Sequence, residues 1–310
     1  MEIIENGQRI ELLGDPHLGR SFLNGVPLHR RGERERLVWQ DFLDSLGRAA
    51  GCDYHVCLGD LFDKWIVSFD LILNTADVYR TAALANPHTR FFVLKGNHDW
   101  TRDLERRSAF DVFAALVADA PNIVIVTRPV IENGLVFYPW HPLWDAKETL
   151  SKITDKILFG HFDVEFGEHN MVPTELGFER IFTGHDHKAR RLKRHGTEVI
   201  VVGSMQPYAH GEEADDSLYV TLRPEEVPAA GDLRNKCVRI LGQFDGDIDC
   251  LQITYKQEKT ADDGSIEQVT LGDFDMERLF GEAFAEAGVS AERTQIVLGQ
   301  YQAKRTAAGV

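Results

Sequence analysis

Five times between residues 9 and 187, a short apolar run stops at a glycine that is followed at once by Asp, Asn or His. Arg9 to Leu13 leads into Gly14-Asp15, His55 to Leu58 into Gly59-Asp60, and Arg90 to Lys95 into Gly96-Asn97. Lys156 to Phe159 leads into Gly160-His161, and Glu179 to Thr183 into Gly184-His185. Runs of this length bounded by turn residues read as strands. The stretches between them read as helices: Glu33–Ala50 carries Val38, Phe42 and Leu46 on one stripe, and Ser68 is placed to cap a helix through Ala85. Strands alternating with helices make a layered α/β fold. An open α/β sheet offers the carboxyl ends of its strands to one crevice, so all five motifs are expected to meet there.

Beyond residue 195 the pattern changes. EVIVVGS and SLYVTL read as further strands, and Pro224, Pro228 and the AAGD segment as a linker near 224–232. The expected division is a catalytic domain over 1–228 and a small capping, partner-docking region over 229–310. In the latter, CVRIL and DCLQITY are expected to pair as strands. Met276–Ala287 sets Met276, Phe280 and Phe284 on one helical face beside Leu279. That stripe reads as core or as a partner-binding face, with core favoured because most such stripes are packing.

No apolar run approaches the roughly 18 residues of a membrane span. The opening MEIIENGQRIELLGD lacks the basic and apolar regions of a signal peptide, so a cytoplasmic location is expected. The four cysteines form no CxxC pair and read as reduced, mostly buried thiols. The net charge of −15 argues against a surface that binds nucleic acid everywhere. Its distribution matters: residues 205–310 hold 20 acidic and 10 basic residues, so the excess lies mostly in the tail.

The motifs carry the chemistry: Asp15-x-His17, Gly59-Asp60-x-x-Asp63, Gly96-Asn97-His98-Asp99, Gly160-His161 and Gly184-His185-Asp186-His187. Each alone is weak, since a histidine on a strand is more often a satisfied core residue than a ligand. Together they are not: five of the twelve histidines lie within two residues of an Asp at expected strand ends. Imidazoles, carboxylates and one amide oxygen, without thiolates, suit divalent manganese, iron or zinc, whereas magnesium prefers fewer nitrogens.

This set, in this order, resembles the calcineurin-like metallophosphoesterases over about residues 9–212. The resemblance implies a four-layer αββα sandwich with a small C-terminal α+β cap. It also implies seven ligands to two divalent metal ions: Asp15, His17, Asp60, Asn97, His161, His185 and His187, with Asp60 bridging. Two cations roughly 3.5–4 Å apart repel, and a shared carboxylate holds them while they activate water and clamp phosphoryl oxygens. By the same resemblance His98 contacts the phosphate and protonates the leaving oxygen. Asp99 either orients His98 or caps a following helix, two readings of equal weight. Asp63 is expected to orient a ligand or to pair with a nearby base. Asp186 should point away from the ligands on either side of it.

Two strings narrow the resemblance. GDPHLGR at 14–20 and VVGSMQPYAHGEE at 201–213, with its acidic pair Glu212 and Glu213, are similar to SbcD-type DNA repair exonucleases and the recombination nuclease subunits of large tailed phages. So is the roughly hundred-residue continuation past the last ligand. The resemblance implies a manganese-dependent DNA exonuclease and endonuclease, a separate SMC-like ATPase of the SbcC type as partner, and a homodimer. Departures exist: KWIVSFD follows GDLFD without the usual Pro-Ser turn, and Asp63 stands where archaeal and eukaryotic relatives carry a second histidine. The run Lys188-Ala-Arg190-Arg191-Leu-Lys193-Arg194-His195 reads equally as a phosphate-binding patch or a solvated hairpin. Trp65, Trp100, Trp140 and Trp144 read as core more often than as base-stacking platforms. The alternatives are a stand-alone phosphatase or small-nucleotide phosphodiesterase and, more remotely, a metal-stabilised scaffold.

Overall fold

The computed structural model describes residues 1–165, 167, 170–212 and 217–257, together with 284, 290 and 293–298. It divides into two compact units, Met1–Gln257 and Glu258–Val310. The Met276–Ala287 stripe lies outside the described residues except for Phe284.

The first half of the chain supplies β1 (Glu2–Glu5), β2 (Gln8–Leu13), α1 (Glu33–Arg48), β3 (Tyr54–Cys57), α2 (Phe69–Ala85), β4 (Arg90–Leu94), α3 (Ala109–Leu116) and β5 (Ile123–Val126). The strands form one sheet in the order β1-β2-β3-β4-β5. β1 and β2 are antiparallel, closed by Asn6-Gly7 with φ of 50° and 75°, the left-handed pair that a two-residue hairpin turn needs. From β2 to β5 all pairings are parallel.

The second half supplies β6 (Val130–Glu132), β7 (Leu135–Tyr138), α4 (Ala146–Leu150), β8 (Ile157–His161), β9 (Arg180–Gly184), β10 (Arg190–Arg194) and β11 (Thr197–Val201). They build a second sheet in the order β10-β11-β9-β8-β7-β6, parallel at its centre and antiparallel at both edges. The basic run is the edge strand β10 of a hairpin with β11.

Strand alternation explains the layers. Ile10, Leu12, Tyr54, Val56, Phe92 and Leu94 on the first sheet meet Leu135, Phe137, Ile157, Phe159, Phe182 and Ile200 on the second. One residue out of phase, Leu13, Cys57, Phe91 and Val93 pack against α1, α2 and α3. Val136, Leu158, Ile181 and Val199 pack outward with Ala146 and Leu150 of α4. A strand buried on both faces reads as a continuous apolar run, which is how these runs look in the sequence. The helices form at the expected stripe and caps: Val38, Phe42 and Leu46 are buried, and Ser68 Oγ accepts from the Leu71 N–H at 3.3 Å.

A third sheet follows in the same unit: β12 (Tyr219–Leu222), β13 (Cys237–Leu241) and β14 (Gln252–Lys256), paired in parallel in that order. CVRIL and DCLQITY do pair. The expected linker contains a short 3-10 helix, Pro224–Ala229. All four cysteines are free and buried. Among the described residues, no helix is long and apolar enough to cross a membrane.

Candidate metal centre

Every motif leaves the carboxyl end of a strand: Asp15 and His17 follow β2, Asp60 follows β3, Asn97 and His98 follow β4, His161 ends β8, and His185 and His187 follow β9. The two sheets thus bring their residues to a common end. Three of these side chains ride on left-handed backbone, with φ of 45° at His17, 48° at Asp60 and 76° at His185. Non-glycine residues rarely adopt that conformation, and it concentrates at functional sites. Asp15, His17, Asp60 and His161 are almost wholly buried.

The side chains form three overlapping groups: Asp15, His17 and His187; His17, Asp60 and His98; and Asp60, His161 and His185. Asp60 Oδ2 stands between them, 3.6 Å from His17 Nε2 and 3.5 Å from His161 Nε2. His17 Nε2 and His187 Nε2 face each other at 3.0 Å. Asn97 Oδ1 lies 2.7 Å from His161 Nε2 and 2.9 Å from His185 Nδ1.

The far nitrogens reveal what these near atoms are. His161 Nδ1–H donates to the Leu58 carbonyl at 3.0 Å. His185 Nε2 is 2.8 Å from Asp163 Oδ1, and His187 Nδ1 is 3.3 Å from Glu212 Oε1. A ring nitrogen on an acceptor carries the proton, so in each neutral ring the other nitrogen presents a lone pair. Lone pairs of His161, His185 and His187 therefore converge with the Asn97 amide oxygen and the carboxylates of Asp15 and Asp60. Acceptors packed at such distances repel unless cations sit among them, so the donor set fits divalent metal ions.

The electrostatics agree. Burial pushes the Asp15 carboxyl up to about 6. Burial, then the charge of Asp15, pushes Asp60 well above the usual carboxylate range. Burial holds His17 and His161 far below the usual imidazole value, hence neutral. Burial also lowers His185, but hydrogen bonding to Asp163 and its charge more than offset this and leave it raised.

His98 donates its backbone N–H to Asp60 Oδ1 at 2.8 Å, and its side chain is 43 % exposed at the mouth of the group. Asp99 is elsewhere than beside the His98 ring or at a helix cap. Its buried carboxylate accepts from the N–H groups of Gly96 (2.9 Å), Phe62 (3.2 Å) and Leu61 (3.3 Å), clipping the Asp60 loop to the Asn97 loop. Asp63 lies 3.5 Å from His17 Nδ1 and 3.6 Å from Arg20. Asp186 turns away to Arg190 at 2.6 Å. Within the basic run, Arg190 also meets Glu165 and Arg191 meets Glu198. Trp65 is 38 % exposed, Trp100 lies beneath the Lys95 ammonium at 4.0 Å, and Trp144 stacks on His141 at 3.9 Å.

Asp163 is the residue that sequence reasoning missed. Its position two residues after His161 is the available signal, since alternate positions on an extended chain share a side. Glu212 was singled out only as part of a string. That string docks on the site: Ser204 N–H donates to the His187 carbonyl at 3.1 Å, Met205 N–H to the Asp15 carbonyl at 3.3 Å, and the Tyr208 hydroxyl to the Pro16 carbonyl.

Three solved structures are similar to the chain. Pseudomonas putida nuclease MPE is 14 % identical, covering 70 % of this chain and 92 % of its own, with a TM-score of 0.34. The phosphopantetheinyl hydrolase of Mycobacterium tuberculosis is 14 % identical, covering 64 % and 93 %, with a TM-score of 0.35. GAP50, the anchor in the inner membrane complex of Plasmodium, is 15 % identical, covering 64 % and 72 %, with a TM-score of 0.35. No curated protein matches the chain. The model of the calcineurin-like phosphoesterase family matches residues 9–189, a span that contains all seven converging side chains. The chain belongs to the calcineurin-like phosphoesterases and is a metal-dependent hydrolase of ester bonds.

Proposed function

We propose that the chain is a two-metal, manganese-dependent DNA nuclease, acting as exonuclease and endonuclease and hydrolysing phosphodiester bonds with water as nucleophile. The observation that carries the two-metal part is the convergence of lone pairs around Asp60 Oδ2, shared between His17 and His161. Asp15, His17 and His187 would hold one cation, Asn97, His161 and His185 the other, and Asp60 would serve both. Bound there, the pair supplies activated water and neutralises phosphoryl charge. Iron, zinc or magnesium can occupy the same donors, but the nitrogen content favours manganese over magnesium.

The chain's own residues do the rest. His98 exchanges a proton with the leaving oxygen. The Asp99 clip keeps the Asp60 and Asn97 loops in register. DNA as substrate rests on the GDPHLGR and VVGSMQPYAHGEE strings, the second of which packs against the site through Ser204, Met205, Tyr208 and Glu212. The same strings support a separate SMC-like ATPase of the SbcC type as partner, residues 229–310 as the capping and docking region, a homodimer, and a role in DNA repair and recombination in the cytoplasm.

The test is cleavage of end-labelled linear duplex DNA and of bis-p-nitrophenyl phosphate, with manganese, magnesium or EDTA. Manganese-dependent loss of both substrates, abolished by EDTA, is expected. Rapid turnover of nucleotides or small diesters with DNA left intact, even with the candidate ATPase added, would instead make this a small-nucleotide phosphodiesterase or phosphatase.

A further inference from the structure

The third sheet has one apolar face, and its other face is apolar at Tyr219 and Cys237 and polar beyond them. Val238, Ile240 and Ile253 point into a core with Leu222 and Leu233. The alternate positions Arg239, Thr254 and Lys256 therefore fall on the opposite face, and the register pairs Arg239 with Thr254. Those residues line a cavity of about 440 Å³ whose far wall includes Tyr208 and His210.

The charge of this cavity is opposite to that of the molecule. The chain carries −15, yet none of the described lining residues is acidic and two are cations. Among the described residues, neither Arg239 nor Lys256 has an ion-pair partner, whereas Arg190, Arg191 and Arg234 are all paired. The register sets Arg239 and Lys256 diagonally across β13 and β14, with Arg239 opposite Thr254 and Lys256 opposite Leu241, and two cations lining one cavity without counter-charge attract an anion. Lys and Arg in such a setting are the ordinary means of holding phosphate.

The cavity and the candidate metal centre share one residue. Tyr208 lines the cavity, and its ring meets His17 edge to face at 5.5 Å and His187 at 5.7 Å. Tyr208 is itself fixed, its hydroxyl on the Pro16 carbonyl, its N–H on Glu212 Oε2 at 2.6 Å, and its carbonyl on the Tyr219 hydroxyl at 2.9 Å.

We propose that this cavity binds a phosphate of the polynucleotide strand adjacent to the one being cleaved, with Arg239 and Lys256 as its cations and Tyr208 as the partition from the metal centre. This rests on DNA being the substrate. The cavity favours chains over mononucleotides and small diesters, because only a chain reaches both places at once.

The test measures binding separately from cleavage. The full chain with manganese, in a His98→Ala background, is titrated with labelled oligothymidylate at several salt concentrations, with and without Arg239→Ala/Lys256→Ala. The double substitution should raise Kd about tenfold and flatten the slope of log K against log salt by about 0.7, the worth of one neutralised phosphate on a single strand. Hydrolysis of bis-p-nitrophenyl phosphate with His98 intact should be unchanged by the pair. Equal affinity and slope with and without the substitutions overturn the proposal. If the pair also abolishes small-diester hydrolysis, Arg239→Lys/Lys256→Arg decides: restored binding sustains the subsite, and continued loss in a folded, hydrolysing protein overturns it. An oligonucleotide that binds through these cations but is never cut by the protein with His98 intact overturns DNA cleavage and leaves the subsite standing.

Discussion

The carbonyl oxygen of Asp63 accepts the Nδ1 proton of His98 at 2.7 Å, and the carboxylate of the same Asp63 reaches His17 Nδ1 at 3.5 Å. One loop residue thereby holds an exposed histidine by a hydrogen bond and faces the buried His17 ring. With Nδ1 committed, Nε2 is the nitrogen that His98 turns toward the cleft, 4.0 Å from Asp60 Oδ2. His98→Ala should lower kcat about 10²–10⁴-fold, the usual worth of a positioned acid. Metal content, read by elemental analysis, should be unchanged, because the contact to Asp60 runs through the His98 backbone. Loss of metal together with activity would make His98 a ligand instead.

Asp163 and Glu212 hold the outer nitrogens of His185 and His187. Carboxylates in this position orient the ring and raise its basicity, and removing them commonly costs about 10–100-fold in metal affinity. Asp163→Ala and Glu212→Ala should each weaken manganese binding by that amount in calorimetric titration. Unaltered affinity in both variants would mean that the backbone alone places the two rings.

Gly96 separates β4 from Asn97, and a Cβ there would collide with Asp60 N and Oδ1. Neither the Asp60 carboxylate nor its backbone can yield without moving a member of the candidate metal centre. Gly96→Ala should abolish hydrolysis and reduce bound metal below that of wild type, while the far-ultraviolet spectrum stays close to wild type. An active Gly96→Ala enzyme would show that the Asp60 loop shifts freely.

Burial pushes the Asp99 carboxyl up to about 7 against the pull of its Gly96, Phe62 and Leu61 amide donors. A folded pKa above the unfolded one means that folding takes up a proton, which stabilises at low pH. That contribution is fully present below the ordinary carboxyl value of 3.8 and is lost as pH rises through about 7. In EDTA, the melting temperature of wild type minus that of Asp99→Asn should therefore shrink between about pH 5 and about pH 8. A difference that grows over that window would show that the amide donors outweigh burial.

The alternation of apolar residues and the glycine-punctuated motifs determined, without coordinates, that strands would alternate with helices and that Asp15, His17, Asp60, Asn97, His161, His185 and His187 would gather at strand ends. Period and residue type are local properties, and a strand that ends in a motif side chain carries it wherever the sheet goes. The partners of those side chains were decided by tertiary structure. Glu212 meets His187 because the 203–212 segment folds back over the Asp15 loop. Asp99 clips two loops rather than orienting its neighbour because its backbone turns the carboxylate inward, toward the Gly96, Leu61 and Phe62 amides. The pairing of Arg239 with Thr254 across a parallel register likewise has no local sign, since register depends on which strands become neighbours. Contacts between segments far apart in the chain are selected by the packing of whole layers, and a window of a few residues carries no record of that.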